Sequence, residues 1–139
     1  MINLGVMPAW TLLALAPRAA ITQKLVHSFA YPFFDGLLYF GLLFTALVFM
    51  PGSGNAGMRS LSGVITIFSR PKGILTGWTH YLVFDLFVGV WISRDAIARG
   101  AKHWIIVPCL FFTLMFGPIG LFLYWVVRLA MNKGDLTLE

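Results

Sequence analysis

The sequence predicts an all-α integral membrane protein, folded as a bundle of four transmembrane helices. Two observations predict this fold: a shortage of charged residues and four long apolar runs. Of the 139 residues, 59% are hydrophobic and only 11% are charged, whereas soluble domains carry about 25% charged residues. So few charged groups cannot cover a water-exposed surface, and lipid must cover much of the chain instead.

Four apolar runs are the predicted spans, since a helix needs roughly 20 apolar residues to cross a bilayer. The runs cover residues 2–16, 33–50, 73–93 and 104–131. Pro32 and Pro71 precede the second and third runs, and proline is well tolerated in the first turn of a helix. The first run is short for a span. A chain of 139 residues has room for one domain, so we predict a single four-helix domain over residues 1–139.

The longest connection, residues 52–72, has two parts. Gly52–Gly57 is polar and rich in glycine. Four apolar residues then fall at positions i, i+3, i+4 and i+7, on one helical face: Leu61, Val64, Ile65 and Phe68. This pattern fits an interfacial helix lying on the membrane, and it fits equally well an apolar loop packed over the mouth of the bundle.

The fourth run contains the sequence Gly117-Pro118-Ile119-Gly120. Proline removes a backbone hydrogen bond, and neighbouring helices can satisfy the carbonyl that it frees. Small residues also allow neighbouring helices to approach closely. We therefore predict a kink in the fourth helix at this sequence.

The basic residues give the chain a formal net charge of +5. Membrane loops rich in Lys and Arg explain this excess better than binding to nucleic acid, since such loops lie against anionic headgroups. With four spans the ten basic residues divide equally between the two ends of the bundle. The positive-inside rule therefore does not decide the orientation, and only the first helix weakly favours an outer N-terminus.

The sequence predicts neither a metal nor a cofactor. The single cysteine, Cys109, excludes an intrachain disulfide and a metal site made of cysteines alone. His27, His80 and His103 lack the spacing of a ligand pair. The chain has no phosphate-binding glycine motif and no nucleophile elbow.

Asp85 and His80 are the predicted catalytic residues. Ionisable groups inside a span are costly and usually have a partner or a function. Asp85 lies near the middle of the third run between apolar neighbours, so it must face the bundle interior, where loss of water favours the neutral acid. His80 lies five residues earlier, about 140° around the helix, so both side chains can border one cavity. Structural hydrogen bonds to neighbouring helices are the alternative for both residues.

Four further residues are predicted to bind substrate. Trp78, Thr79 and Tyr81 surround His80 and add an indole and two hydroxyl groups to an otherwise apolar helix. Asp35 follows Pro32 by three positions, which predicts a place in the first turn of the second helix. There the helix dipole stabilises a carboxylate without any function, and this reading of Asp35 remains open beside the substrate-binding one.

The aromatic residues, 13 Phe, 5 Trp and 4 Tyr, have two interpretations. They can face lipid and pack helices, with tryptophan near the interfaces. They can also line a groove for a long apolar ligand such as a polyene. Composition does not separate the two.

Three stretches carry a family resemblance. They are Pro8-Ala9-Trp10-Thr11-Leu12-Leu13, Gly77-Trp78-Thr79-His80-Tyr81-Leu82-Val83-Phe84-Asp85-Leu86-Phe87-Val88-Gly89 and Phe116-Gly117-Pro118-Ile119-Gly120-Leu121. The chain resembles the abscisic-acid-deficient-4-like family, whose plant founder is a membrane protein required to form neoxanthin from violaxanthin. The resemblance implies a carotenoid-related, multi-pass membrane protein. For a bacterial member it implies the inner membrane.

The function that the resemblance implies is isomerisation of a carotenoid or similar polyene. Turning an epoxide into an allene and an alcohol needs a proton delivered to oxygen and a proton removed from carbon. Asp85 as the acid and His80 as the base fit this chemistry. The alternative is a non-catalytic subunit that binds pigment or lipid in a larger complex. The expected partners are membrane lipid, a long apolar ligand, and a partner membrane subunit or a second copy, but not nucleic acid.

Overall fold

The computed structural model describes residues 2–28, 30–49 and 56–131, and these residues form helices and short connections without any strand. The helices are α1 (Ile2–Leu15), α2 (Ala20–Leu25), α3 (Ala30–Phe49), α4 (Leu61–Phe68), α5 (Pro71–Ala98), α6 (His103–Phe116) and α7 (Pro118–Ala130). The predicted all-α class is confirmed. Met50, at the end of the second predicted span, and residues 52–55 of the polar stretch lie outside the described residues.

Helix α5 is the centre of the fold. Its 28 residues begin at Pro71, where the missing amide proton costs nothing because the first amides of a helix have no intrahelical partner. A helix of this length spans about 42 Å, more than the roughly 30 Å of a bilayer's hydrocarbon core. It packs against α1, α3, α4, α6 and α7.

Helix α1 runs parallel to α5. Near the start of both helices, Trp78 Nε1 donates a hydrogen bond to Asn3 Oδ1 at 2.7 Å. Further along, the Trp10 ring covers Gly89 so closely that a Cβ atom there would lie 2.6 Å from the ring. A side chain at position 89 would therefore force the two helices apart.

Helix α3 runs antiparallel to α5 and packs chiefly against that helix. Its start lies near the end of α5, where His27 Nε2 and Ser93 Oγ are 3.3 Å apart, and further along Tyr39 meets His80. Most of its large apolar side chains are exposed, among them Phe33, Phe34, Leu37, Phe40, Phe44 and Leu47. Such a surface requires an apolar environment.

One helix segment of the described ranges, Ala30–Val48, is both long and apolar enough to cross a membrane. The segments Gly5–Leu15, His103–Phe116 and Pro118–Ala130 are apolar but shorter. Length and composition therefore support one span directly, and they do not establish the predicted four-span bundle.

Helices α6 and α7 form a hairpin instead of one kinked helix. Helix α6 runs antiparallel to α5, because Ala101 N bonds to Ala96 O at 2.9 Å and Tyr81 Oη donates to Leu114 O at 3.2 Å. Helix α7 then returns parallel to α5, from Asp85 to the last turns of that helix. The α6–α7 hairpin thus begins and ends at the same end of the bundle, where α5 finishes.

Two glycines make this reversal possible. Gly117 joins the helices with φ 51° and ψ −97°, a conformation that side chains strongly disfavour. Gly120 lies so close to α6 that a Cβ atom would meet Thr113 N and would lie 2.5 Å from Cys109 O. The predicted kink is therefore a turn between two helices, each too short to cross a bilayer alone.

Helix α4 occupies the second half of the predicted 52–72 connection. Ser60 caps it, because its side chain accepts a hydrogen bond from Gly63 N at 3.1 Å. Phe68 packs on Gly77 at the start of α5, whereas Leu61 and Ile65 are exposed. The helix exists, and its position on a membrane surface stays a prediction.

Candidate functional site

Asp85 lies at the turn of the α6–α7 hairpin, halfway along α5. The residue is only 7% exposed, and a Cβ atom at Gly117 would lie 2.6 Å from its Oδ1. Its Oδ2 atom is buried and has no hydrogen-bond partner among the described residues. A buried carboxyl oxygen without a partner is costly to keep in a fold, which marks Asp85 as the first candidate for function.

Tyr81 and the start of α7 complete the surroundings of Asp85. Tyr81 precedes it by one helical turn, and its hydroxyl donates to Leu114 O at 3.2 Å while also interacting with the Asp85 carboxyl group. Helix α7 begins at Pro118, directly after the residue that Asp85 approaches. Because α6 ends and α7 begins at Gly117, the negative end of one helix dipole and the positive end of the other both lie near the carboxyl group.

His80 lies on the other side of α5, toward α3. Its ring centroid is 5.2 Å from that of Tyr39 and 4.7 Å from that of Phe84. The structure thus places Asp85 at the hairpin and His80 at α3. The two predicted catalytic residues therefore lie on different sides of α5.

Asp35 occupies the second turn of α3 and not the first. The helix begins at Ala30 and has no acidic residue in its first turn, so the interpretation of Asp35 as a first-turn carboxylate is wrong. The pairing of His27 with Ser93 and of Tyr39 with His80 places Asp35 at the depth of Asp85. Its Oδ2 atom is also buried without a hydrogen-bond partner among the described residues.

Two of the residues predicted to bind substrate use their polar groups within the fold. Thr79 is buried and donates to Leu75 O at 2.9 Å, inside its own helix. Trp78 donates to Asn3, as described above, and its ring packs 5.6 Å from that of Tyr81. Of the three polar neighbours of His80, Tyr81 is therefore the one that interacts with Asp85.

Comparison with known proteins identifies the family. Residues 1–124 match the family described as ABA DEFICIENT 4-like. The chain belongs to this family. It is 29% identical over 136 residues to the protein ABA DEFICIENT 4, chloroplastic, of Arabidopsis thaliana, an alignment that covers 93% of this chain. The chain spans 59% of the length of that relative. No solved structure matches the chain.

Family membership confirms the resemblance carried by the three stretches quoted in the sequence analysis. The matched range includes the α3-facing and the hairpin-facing residues of α5. The matched residues 1–124 include α1, the whole of α5 with His80 and Asp85, and the hairpin turn at Gly117. The roles of these residues, and the bacterial inner membrane as the location, stay predictions.

A buried ion-pair cluster near the end of α5 was missed by the sequence analysis. Both oxygens of Asp95 lie 2.9 Å from Arg99 Nε, and Tyr124 Oη donates to Asp95 Oδ2 at 2.5 Å. Arg128, only 1% exposed, places its Nε 3.8 Å from the same oxygen. The spacing of Asp95 and Arg99 is visible in the sequence, but only the reversal at Gly117 brings Tyr124 and Arg128 to them.

The three histidines lie in different elements: His27 in the connection before α3, His80 in α5 and His103 at the start of α6. His103 Nε2 is 2.7 Å from Ala14 O, at the wall of a cavity of about 270 Å³ that Ser93 and Ala16 also line. His27 contacts Ser93 from the connection before α3. Within residues 2–28, 30–49 and 56–131 no three His, Cys, Asp or Glu residues lie close enough together to hold a metal ion.

His27 makes the stability of the fold depend on pH. Burial, and then the nearby charge of Arg94, lower the pKa of His27 below its ordinary value of 6.5. The unfolded chain therefore binds this proton more readily than the folded protein does. The free energy of unfolding is therefore not reduced by His27 above about pH 6.5. It falls as the pH drops from there toward the lowered pKa of His27.

We expect acidification to lower the melting temperature of the purified protein more than that of His27→Gln. Glutamine keeps a polar partner for Ser93 but does not titrate. Thermal unfolding in detergent, followed between about pH 7.5 and pH 5.5, measures the difference. Equal losses in the two proteins would show that His27 does not carry the effect.

Proposed function

We propose that the chain is a multi-pass membrane protein that binds a long polyene of the carotenoid class and isomerises it, with Asp85 as the proton donor. The observation that supports this most directly is the nine-tenths buried Asp85 carboxyl group, whose Oδ2 has no hydrogen-bond partner among the described residues. The substrate class rests on the family resemblance, and the exposed aromatic surface of α3 and α5 suits such a ligand.

The proposed membrane arrangement has three crossing helices and one re-entrant hairpin. Helices α1 and α3 pack against α5, and α6–α7 reaches from one end to the middle of α5. Because α1 has only 14 residues, it crosses where the bilayer thins locally. Asp85 is the fifteenth of the 28 residues of α5, which places it near the bilayer centre. Non-helical backbone at that depth is tolerated where protein buries it, as α5 does at the buried Gly117 turn.

The hairpin also changes the distribution of charge. Its reversal brings Arg128 to the end of the bundle that holds the α5–α6 connection. That end, which we call the Lys102 end, carries Arg18, Lys24, Arg94, Arg99, Lys102 and Arg128. The other end of the described chain carries Arg59, Arg70 and Lys72. By the positive-inside rule, the Lys102 end faces the cytoplasm or the compartment equivalent to it.

Cysteine labelling tests this topology. In a Cys109→Ala background, we expect single cysteines at Lys102 and Ala130 to react with a membrane-impermeant reagent from the same side, and a cysteine at Met58 from the other side. All three positions are exposed. A fourth crossing helix would place Ala130 with Met58 instead, and that result would contradict the re-entrant hairpin.

The proposed reaction transfers protons and leaves the oxidation state unchanged. Asp85 gives its proton to the epoxide oxygen, the carbon–oxygen bond breaks, and a carbon of the substrate loses a proton to a base. His80 is the proposed base, from the α3 side of α5, and His80→Gln tests that role separately from Asp85.

A second candidate is a non-catalytic subunit that binds pigment or lipid. The placement of Asp85 and His80 on different sides of α5 favours it, because each side chain can then serve the packing of its own helix pair. Incubation of the purified protein with an epoxycarotenoid separates the two candidates. Chromatography should show an isomer of unchanged mass, whereas a pigment that is bound and recovered unaltered would support the second candidate.

A further inference from the structure

Two glycines fix helix α4 against the first turns of α5. A Cβ atom at Gly73 would collide with the backbone carbonyl group of Ile67, and one at Gly77 would lie 2.5 Å from the Phe68 ring. Gly63 is buried, and Ile67 follows it by four residues, on the same side of the helix. One side of α4 therefore packs against the protein.

The rest of α4 has an apolar side and a hydroxyl side. At about 100° per residue, Leu61, Ile65 and Phe68 lie within about 60° of one another. Leu61 is 77% exposed and Ile65 56%, whereas a segment packed over the mouth of the bundle would turn these side chains toward other helices. Between the apolar and the protein-facing sides, hydroxyl groups form the third side: Ser62, Thr66 and Ser69.

The depth of α4 indicates what covers its apolar side. Gly73, its contact on α5, precedes His80 by seven residues and Asp85 by twelve, which is about 10–18 Å along the helix. His80 meets Tyr39, halfway along the α3 segment that is long and apolar enough to cross a membrane. The hydrocarbon core of a bilayer ends about 15 Å from its centre. In the proposed membrane arrangement, α4 therefore lies at the edge of that core.

We propose that α4 is a membrane-surface anchor. Its apolar side enters the acyl chains of the leaflet at the start of α5, and its hydroxyl side faces the headgroups, since a helix at this depth meets both. The exposed side chains of Arg59 and Lys72, before and after α4, can extend to lipid phosphates. The inference rests on the membrane arrangement of the proposed function and is independent of its isomerase chemistry.

Fluorescence quenching of the full chain in phosphatidylcholine nanodiscs, at one copy per disc, tests the proposal. In a Cys109→Ala background, single cysteines at Leu61, Ile65 and Ser62 carry an environment-sensitive fluorophore. We expect nitroxide-labelled acyl chains to quench the probes at Leu61 and Ile65 several times more strongly than the probe at Ser62. Ser62 is the matched control, because it is exposed on the hydroxyl side of the same helix. A probe at Phe40, 62% exposed in the middle of α3, reports the membrane arrangement itself.

The pattern of quenching distinguishes failure of the anchor from failure of the membrane arrangement. Quenching at Phe40 but not at Leu61 and Ile65 would overturn the anchor and leave the arrangement standing. Equal quenching at Leu61 and Ser62 would also overturn it, because α4 would then have no lipid-facing side. A probe at Leu61 with blue-shifted but unquenched emission would show that protein, and not lipid, covers the apolar side. No quenching at Phe40 would overturn the arrangement and the anchor together.

Discussion

Asp85→Asn should abolish turnover of the polyene while the protein still folds. Asparagine keeps the size of the side chain and its hydrogen-bonding groups, but it has no proton to give. General acid catalysis contributes about 10²–10⁴-fold to a rate, so the variant should retain less than about one hundredth of the activity. The measurement is turnover per folded protein, with folding checked by thermal unfolding in the same detergent.

Thr113→Val is the matched control for Asp85→Asn. Thr113 is a buried polar residue of the same hairpin, and its hydroxyl is bonded inside α6, to Cys109 O at 2.8 Å. Its loss should lower stability slightly and leave turnover unchanged. If Asp85 is only a packing residue, Asp85→Asn should behave like the control and keep full activity. Its free energy of unfolding should then fall by about 1–2 kcal/mol, since intramembrane hydrogen bonds are modest. Full activity in Asp85→Asn would end the acid–base proposal without affecting family membership.

Gly120→Ala should disrupt the α6–α7 hairpin and with it most of the folded protein. The added methyl group would meet Thr113 N and Cys109 O, and both are backbone atoms that cannot rotate away. Overpacking of a core costs about 1–3 kcal/mol where side chains can adjust. The loss of stability should be larger here, because the contacted atoms belong to the backbone. We expect a large fall in melting temperature or loss of monodisperse protein on size-exclusion chromatography.

Gly36→Ala is the matched control for Gly120→Ala, and we do not expect it to lower the stability of the protein. Gly36 is helical and has nothing within 4 Å of where a Cβ atom would be. Alanine is favoured over glycine in a helix by about 0.5–1 kcal/mol, so Gly36→Ala should leave stability unchanged or raise it slightly. A melting temperature for Gly120→Ala equal to that of Gly36→Ala would contradict the close α6–α7 contact.

The sequence predicted the helical class and the burial of Asp85 because both depend on local pattern. A carboxylate between apolar neighbours stands out wherever it occurs, and its burial follows from cost alone. The start of α3 was misplaced because Pro32 is compatible with any of the first positions of a helix, and the helix begins two residues before it. Asp35 therefore moved from the first turn to the second.

The hairpin and the Asp95 cluster were not predicted because they depend on tertiary contacts. Gly117-Pro118 has the same composition whether a helix bends or reverses, and the outcome is decided by the packing of Gly120 on α6. Asp95 and Arg128 each lie near the end of an apolar run, where charged residues usually meet water. Only the returning α7 shows that Arg128 is buried.

Helix α3 packs against little besides α5, and this has a consequence for how the protein is handled. In the proposed membrane arrangement, a helix that packs along one side only relies on ordered acyl chains for the rest of its support, and a short-chain detergent removes that support. Protease cleavage and hydrogen exchange should then reach α3 before the hairpin. Asp35 and Tyr39 leave with it, so lipid nanodiscs, and not harsh extraction, are the medium in which the α3 side of the site can be studied intact.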